Sequence, residues 1–233
     1  MQIFKRDRFM RLFLALFLIL ALFLTSCKEE SGSSGQTGDT RSFQQIWELF
    51  ESQMKAKQAK INFRFNPSAQ AEEIQVLEKV VGQKFTADML NLYNLGNGQA
   101  EDGSELFRGF TLVSTSEAAK TWQLMENNHK DKTLPMMNKG PVKKDFWNSK
   151  WIPIGADAGG NLLCVDFDPA SGGAVGQLVA VYLDDVERSV VAKSIRDYFA
   201  KTSAGLRSGQ MAFDEFGTGP WTKEELKKMQ EDQ

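Results

Sequence analysis

Apolar residues recur at helical spacing through the first part of the folded region. Ser42 and Gln45 can form a capping box, and the apolar positions after them follow one helix face. A second helix is predicted over residues 66–82, from an Asn-Pro start to a glycine stop, and a third over residues 86–96. Their apolar stripes are Phe43, Ile46, Trp47, Phe50 and Met54, then Ile74, Leu77 and Val81, then Met89, Leu90, Leu92 and Tyr93.

Later in the chain the apolar residues alternate or form short runs, which is typical of strands. We expect short strands at 61–66 and 106–114 and a helix over 116–127. A last helix is expected from Ser189 to Thr202, and it presents Val191, Ile195, Tyr198 and Phe199. Three runs separated by Gly, Asp and Pro turns predict an antiparallel meander: Trp151–Gly155, Asn161–Phe167 and Gln177–Leu183. Helices at both ends of a mostly antiparallel sheet with this central meander predict an α+β fold.

The N-terminus has the pattern of a leader rather than of a folded element. A basic start is followed by 13 apolar residues, Leu12 to Leu24, a length typical of signal peptides and short of a membrane span. The run ends in "LTSC", which resembles a bacterial lipobox with Cys27 as the lipid attachment point. The alternative is an uncleaved membrane anchor. We therefore expect a protein anchored in the cell envelope by lipid, at the outer membrane or periplasmic face if the host is Gram-negative.

These patterns divide the chain into four parts. They are a lipoprotein signal peptide at 1–26, a lipidated cysteine and Gly/Ser-rich tether at 27–41, one domain at 42–205, and a polar tail at 206–233. In the tail, Thr222 and Glu225 can cap a short helix.

Charge and cysteine content narrow the range of possible functions and of possible stabilising bonds. Removing residues 1–26 takes away four Lys/Arg and one Asp, so the 28 basic and 30 acidic residues become 24 and 29, a net charge of −5. An acidic domain without a basic stripe is a poor match for nucleic acid. If Cys27 carries lipid, Cys164 is the one remaining thiol, and the domain must be stable without an internal disulfide.

The richest chemistry lies in "WIPIGADAGGNLLCVDFDPASGG", residues 151–173. In an extended strand, Asp166 and Asp168 share one face, the arrangement of an acid/base pair. Asp157 and Asn161 flank a glycine turn, but the spacing lacks the late Glu of a calcium loop, and its glycines do not open a helix as in phosphate loops. We therefore favour hairpin turns, and expect no metal and no cofactor.

Other catalytic patterns are weak. The single histidine, His129, lies in a charged stretch that we interpret as an exposed loop, and no nucleophile-elbow sequence accompanies it. Cys164 lies mid-strand, where cysteine usually acts as a small buried hydrophobe. Trp151, which opens the meander, is expected to be structural. The residues by themselves therefore identify no catalytic set.

Four segments, in order, form a pattern that is more specific as a set than singly. They are "IQVLEKVVGQKFTADMLNLYNLGNG" (74–98), "LVSTSEAAKTW" (112–122), "WIPIGADAGGNLLCVDFDP" (151–169) and "SIRDYF" (194–199). The set resembles the SMI/KNR-type domain of the SUKH superfamily, with Phe85-Thr86 where Leu-Pro is usual. The resemblance implies a non-enzymatic interaction domain. Bacterial members are regarded as immunity proteins that neutralise toxins, and fungal relatives act in cell-wall assembly and signalling.

Two functions from different classes remain open. The first is a membrane-anchored module that binds a protein partner, a toxin or an envelope-assembly component, with no small-molecule substrate. Its candidate contact residues are Asp157, Asn161, Asp166 and Asp168, taken as an acidic edge that steers a basic partner. The same residues are equally well explained as turn formers only. The second function is an envelope hydrolase that uses the Asp166/Asp168 face.

Overall fold

The structure, a computed structural model, describes residues 39–231. The predicted leader and the predicted lipidation site Cys27 lie outside these residues. Of the described residues, 41–231 belong to one compact unit. Its helices are α1 (Phe43–Lys57), α2 (Ala71–Val81), α3 (Ala87–Leu95), α4 (Thr115–His129), α5 (Ile195–Ser208) and α6 (Lys223–Glu231).

The strands form one large sheet and one small hairpin. They are β1 (Thr111–Leu112), β2 (Met137–Lys139), β3 (Trp151–Ala156), β4 (Leu162–Asp166), β5 (Gln177–Val181), β6 (Glu187–Ala192), β7 (Met211–Ala212) and β8 (Trp221–Thr222). The sheet order is β1-β3-β4-β5-β6-β2, and β7 pairs with β8 separately. All neighbours in the large sheet are antiparallel except β2 and β6, which are parallel. The predicted α+β fold with a central antiparallel meander is confirmed.

Local capping explains where several helices begin and end. At α1, the Ser42 and Gln45 side chains each accept the other's backbone N–H, so the predicted capping box is present. Thr86, where the third helix was predicted to start, is the residue that caps α3. Gly82 ends α2 with φ +63°, a left-handed conformation that strongly favours glycine. These boundaries follow from short-range hydrogen bonds, which is why the sequence pattern identified them.

Other predicted elements differ from the structure. The expected strand at 61–66 is reduced to a single bridge between Phe65 and Gln99, and α2 begins at Ala71 rather than at the Asn-Pro pair. The run at 106–114 supplies only the two residues of β1. The helix predicted from Ser189 is wrong in its first turn, because that stretch pairs with β5 as strand β6. Helix α5 starts only at Ile195, where Ser194 caps it.

Two apolar clusters cover the two faces of the large sheet. On one face, Ile152, Leu163 and Leu178 pack against helices α1, α2, α3 and α5. On the other face, Trp151, Cys164 and other sheet residues pack against the end of α4 and the segment that follows it. Every residue of β4 and β5 is buried, so the meander lies at the centre of the domain. Polar side chains near the sheet are therefore either enclosed or confined to strand ends.

Candidate functional site

Asp166 is the last residue of β4 and is fully enclosed. Its Oδ1 accepts the backbone N–H of Asp168 and its Oδ2 accepts Nε2 of Gln177, both at 2.8 Å, and the residue has 0% exposure. Burial raises the pKa of this carboxyl, against the two hydrogen bonds that favour its charged form. The indole of Trp151 opposite also favours the charge, although its N–H lacks a regular hydrogen bond. The expectation that Asp166 forms part of an exposed acidic edge is wrong.

Asp168 lies just beyond the strand, where basic and amide groups hold it. Its Oδ2 accepts Nζ of Lys143 at 2.5 Å and Nδ2 of Asn148 at 3.0 Å. These two bonds lower the pKa of Asp168. Asp166 and Asp168 thus have pKa values shifted in opposite directions, a feature of acid/base pairs. Here, however, one member is sealed from solvent, so a substrate cannot reach both.

Asp157 and Asn161 close the turn between β3 and β4. The carboxylate of Asp157 accepts the backbone N–H of Asn161 at 2.8 Å and its Nδ2 at 2.7 Å, while Oδ1 of Asn161 accepts the N–H of Leu183 at 3.0 Å. Both residues are partly exposed. Because Asn161 precedes β4 and Asp166 ends it, these two residues lie about 17 Å apart along the strand. The four candidate residues therefore do not form one continuous edge.

Cys164 and His129, the two other residues considered from the sequence, both pack against other residues of the domain. Cys164 has 0% exposure, and burial raises the pKa of its thiol. His129 is the last residue of α4 rather than part of an exposed loop, and its ring lies 5.2 Å from that of Phe146. Burial and then Lys132 lower the pKa of His129, whose Nδ1 is buried without a hydrogen bond. Within residues 39–231, no three His, Cys, Asp or Glu side chains are grouped to hold a metal ion.

One cleft in the described part of the chain was not indicated by the sequence. It has a volume of about 370 Å³ and lies between one face of the sheet and α5, beneath the C-terminal segment (residues 210–231). Leu163, Ala180 and Ala192 are contributed by the sheet, and Met211 and Pro220 by the C-terminal segment. The lining is mainly apolar, with charged groups supplied by Arg108, Lys201 and Glu225.

Arg108 holds the C-terminal segment over this cleft. Its Nη1 donates to both carboxylate oxygens of Glu225 at 2.9 Å, and its guanidinium lies 4.5 Å from the centre of the Trp221 ring. Glu225 also accepts the N–H and hydroxyl of Thr222, so the predicted cap of the terminal helix is confirmed. The same carboxylate thus caps α6 and joins it to the domain. Only the cap could be predicted from the sequence, because Arg108 lies 117 residues from Glu225 along the chain.

Fold and site together define an α+β domain in which Asp157 and Asp166 shape turns and Asp168 forms an ion pair. The chain belongs to the SMI1/KNR4 family (SUKH-1), whose model matches residues 68–201. That span runs from the approach to α2 into α5, and includes the whole meander. The resemblance that the four sequence segments carry is therefore confirmed.

Two fungal proteins are similar to parts of this chain. A protein of Neurospora crassa named "Glucan synthesis regulatory protein" is 31% identical over 96 residues, which cover 41% of this chain and 17% of that protein. A protein of Schizosaccharomyces pombe named "Cell wall biosynthesis/cell cycle regulator smi1" is 23% identical over 164 residues, covering 63% and 32%. This chain thus spans a third or less of these relatives. Both are named as regulators rather than as enzymes.

Within residues 39–231, no helix is long and apolar enough to cross a bilayer. The predicted anchor at Cys27 precedes this part of the chain and stays a prediction.

Proposed function

We propose that this chain is a non-catalytic regulatory module that acts by binding a protein partner at the cell envelope, to which Cys27 anchors it through lipid. The observation that carries the proposal is the sealing of Asp166. A hydrolase that used the Asp166/Asp168 face would need both carboxylates open to substrate. One is enclosed by Gln177 and the backbone of Asp168, and the other is neutralised by Lys143.

The partner is either a toxin that the module neutralises or a component of envelope assembly. The names of the two fungal relatives support the second, because both refer to the cell wall or its glucan. The SUKH-type pattern supports the first. In both cases the protein acts by binding a surface of its partner, which requires no reaction at its own side chains.

Asp157, Asn161 and Asp168 remain the candidate contact residues, now as two separate sites. Asp157 and Asn161 form a rigid, partly exposed turn, which suits a contact because little side-chain entropy is lost on binding. Asp168 keeps part of its surface open beside Lys143. Acidic groups at such sites would raise the association rate with a basic partner.

The experiment is a pull-down from lysate and secreted material of the producing and related strains, followed by binding kinetics with the recovered protein. Asp157→Asn and Asp168→Asn each remove a charge. At Asp168 the remaining oxygen can still accept both existing hydrogen bonds, whereas at Asp157 it can keep the bond from the N–H of Asn161 but not also the one from its Nδ2. The expected result is slower association at low salt, with a loss that shrinks as salt screens the charges.

The matched control removes two charges elsewhere, through Glu72→Gln and Glu101→Gln, both at exposed positions. An equal slowing by the control would show an effect of net charge and would remove the two turns from the interface. If the purified protein instead turns over an envelope substrate and captures no protein, the regulatory proposal fails.

A further inference from the structure

Positive charge is concentrated in the segment that joins α4 to β3. Residues 130–150 contain six lysines and two aspartates, a net charge of +4, in a chain whose net charge is −2. The rest of the chain therefore carries −6. The segment includes β2, an edge strand of the sheet.

Two of these lysines are neutralised within the domain and others are not. Lys143 pairs with Asp168, and Lys139 pairs with Glu187 at 3.0 Å. Lys130, Lys132 and Lys144 take part in none of the ion pairs found within residues 39–231.

Three of the four lysines of this segment that lack an ion pair among the described residues, Lys130, Lys132 and Lys144, are close together in space; the fourth is Lys150. The first three line one shallow cavity of about 130 Å³, whose other charged residue is Asp145. Nζ of Lys132 lies 3.7 Å from the centre of the Phe146 ring, which holds this ammonium group at the cavity.

Large apolar side chains are exposed in the same segment. Leu134, which lines the cavity with the three lysines, is 37% exposed, and Met137 on β2 is 57% exposed. Exposed apolar residues in the same segment as unpaired lysines match the composition of surfaces that enter the headgroup region of a membrane. Protein–protein interfaces, by contrast, are depleted in lysine and enriched in arginine and aromatic residues. The composition of this segment therefore favours a lipid surface over a protein.

We infer that Lys130, Lys132 and Lys144, with Leu134 and Met137, form a docking surface for an anionic lipid bilayer. The lysines meet the lipid phosphates, and the two apolar side chains enter the boundary between headgroups and acyl chains. Lipid attachment at Cys27, as predicted from the sequence, would bring this domain to a bilayer. The inference goes beyond the proposed function, because it concerns orientation at the membrane and requires no protein partner.

The test uses the full-length protein with Cys27→Ser, so that no lipid is attached, and Thr133→Cys carrying an environment-sensitive fluorophore. Thr133 lines the same cavity, and the other cysteine, Cys164, is fully buried and protected from labelling. Vesicles of equal parts phosphatidylglycerol and phosphatidylcholine should shift the emission to the blue, and vesicles of phosphatidylcholine alone should not. This local readout separates docking of the surface from any binding by the apolar residues near the N-terminus.

Neutralising the surface should weaken docking strongly. Each lysine near an anionic membrane contributes about 1 kcal/mol, so changing Lys130, Lys132 and Lys144 to Gln should raise the half-saturating lipid concentration about 100-fold. The matched control changes Lys57, Lys79 and Lys120 to Gln, which removes the same net charge from α1, α2 and α4 and should have little effect.

Four results would overturn the inference. One is the absence of a shift on anionic vesicles at low salt, and another is an equal shift on vesicles of phosphatidylcholine alone. The third is an equal loss in the control variant, since net charge would then explain the binding. A shift with polyglutamate but not with vesicles would also overturn it, in favour of an acidic polypeptide partner. None of these results bears on the pull-down, so the two proposals fail separately.

Discussion

Replacing Trp151 by Ala tests the assignment of this residue to the core. The side chain has 0% exposure and belongs to the apolar cluster on the α4 side of the sheet. Its ring meets that of Trp147 edge-on, with centroids 6.2 Å apart and an interplanar angle of 89°. A large truncation here leaves a cavity that the rigid meander cannot close.

The magnitude follows from two opposing contributions. A buried tryptophan removes about 150–250 Å² from water, and at about 25 cal/mol per Å² this contributes about 4–6 kcal/mol. The indole N–H of Trp151 is buried without a regular hydrogen bond. Its removal recovers about 1–2 kcal/mol of desolvation cost, so Trp151→Ala should lower the free energy of unfolding by about 2–5 kcal/mol.

Urea unfolding followed by far-ultraviolet circular dichroism measures this change without relying on tryptophan fluorescence. The control is Trp221→Ala, because Trp221 is partly exposed on the C-terminal segment and its loss should cost less than about 1 kcal/mol. If Trp151→Ala unfolds within about 1 kcal/mol of the unsubstituted protein at an unchanged denaturant slope, the core assignment is refuted. Trp151 would then be a candidate binding anchor.

Three further predictions rest on separate observations. The two aspartates should show opposite pH dependences in denaturation at a series of pH values. In the folded protein the pKa of Asp166 is raised above its usual 3.8. As the pH rises from 3.8 to this raised pKa, ionisation of the carboxyl favours the unfolded chain and lowers the stability. The cost of Asp166→Asn should therefore shrink with rising pH. The pKa of Asp168 is lowered below 3.8, so the stabilisation by its carboxylate is lost as the pH falls from 3.8 to this lowered pKa. The cost of Asp168→Asn should therefore grow with rising pH. Equal pH dependences for the two variants would contradict both assignments. Cys27→Ser should abolish labelling by a fatty-acid probe in cells, and undiminished labelling would exclude Cys27 as the attachment site. Arg108→Ala should speed hydrogen exchange in residues 221–231 while leaving α1 unchanged, because Arg108 bonds Glu225 and stacks on Trp221; unchanged exchange in that segment would show that other contacts hold it.

The sequence determined those features that depend on short-range contacts. The capping box of α1 and the glycine that ends α2 involve residues at most four positions apart along the chain, so their patterns predict them directly. The meander was also predictable, because its apolar runs are separated by turn residues that favour hairpins. The turn from Asp157 to Asn161 belongs to the same group, since its hydrogen bonds are local.

Only the tertiary structure decided the features that depend on distant partners. Strand β6 has a sequence that reads equally well as the start of a helix, and its pairing with β5 and β2 makes it a strand. Asp166 and Asp168 are neighbours in an apparently exposed pattern. Gln177, from the next strand, encloses one of them, and Lys143, which precedes β3, neutralises the other. The burial and the ionisation of a side chain at a strand end are set by the elements packed around it. The local sequence does not indicate which residues those elements will bring there.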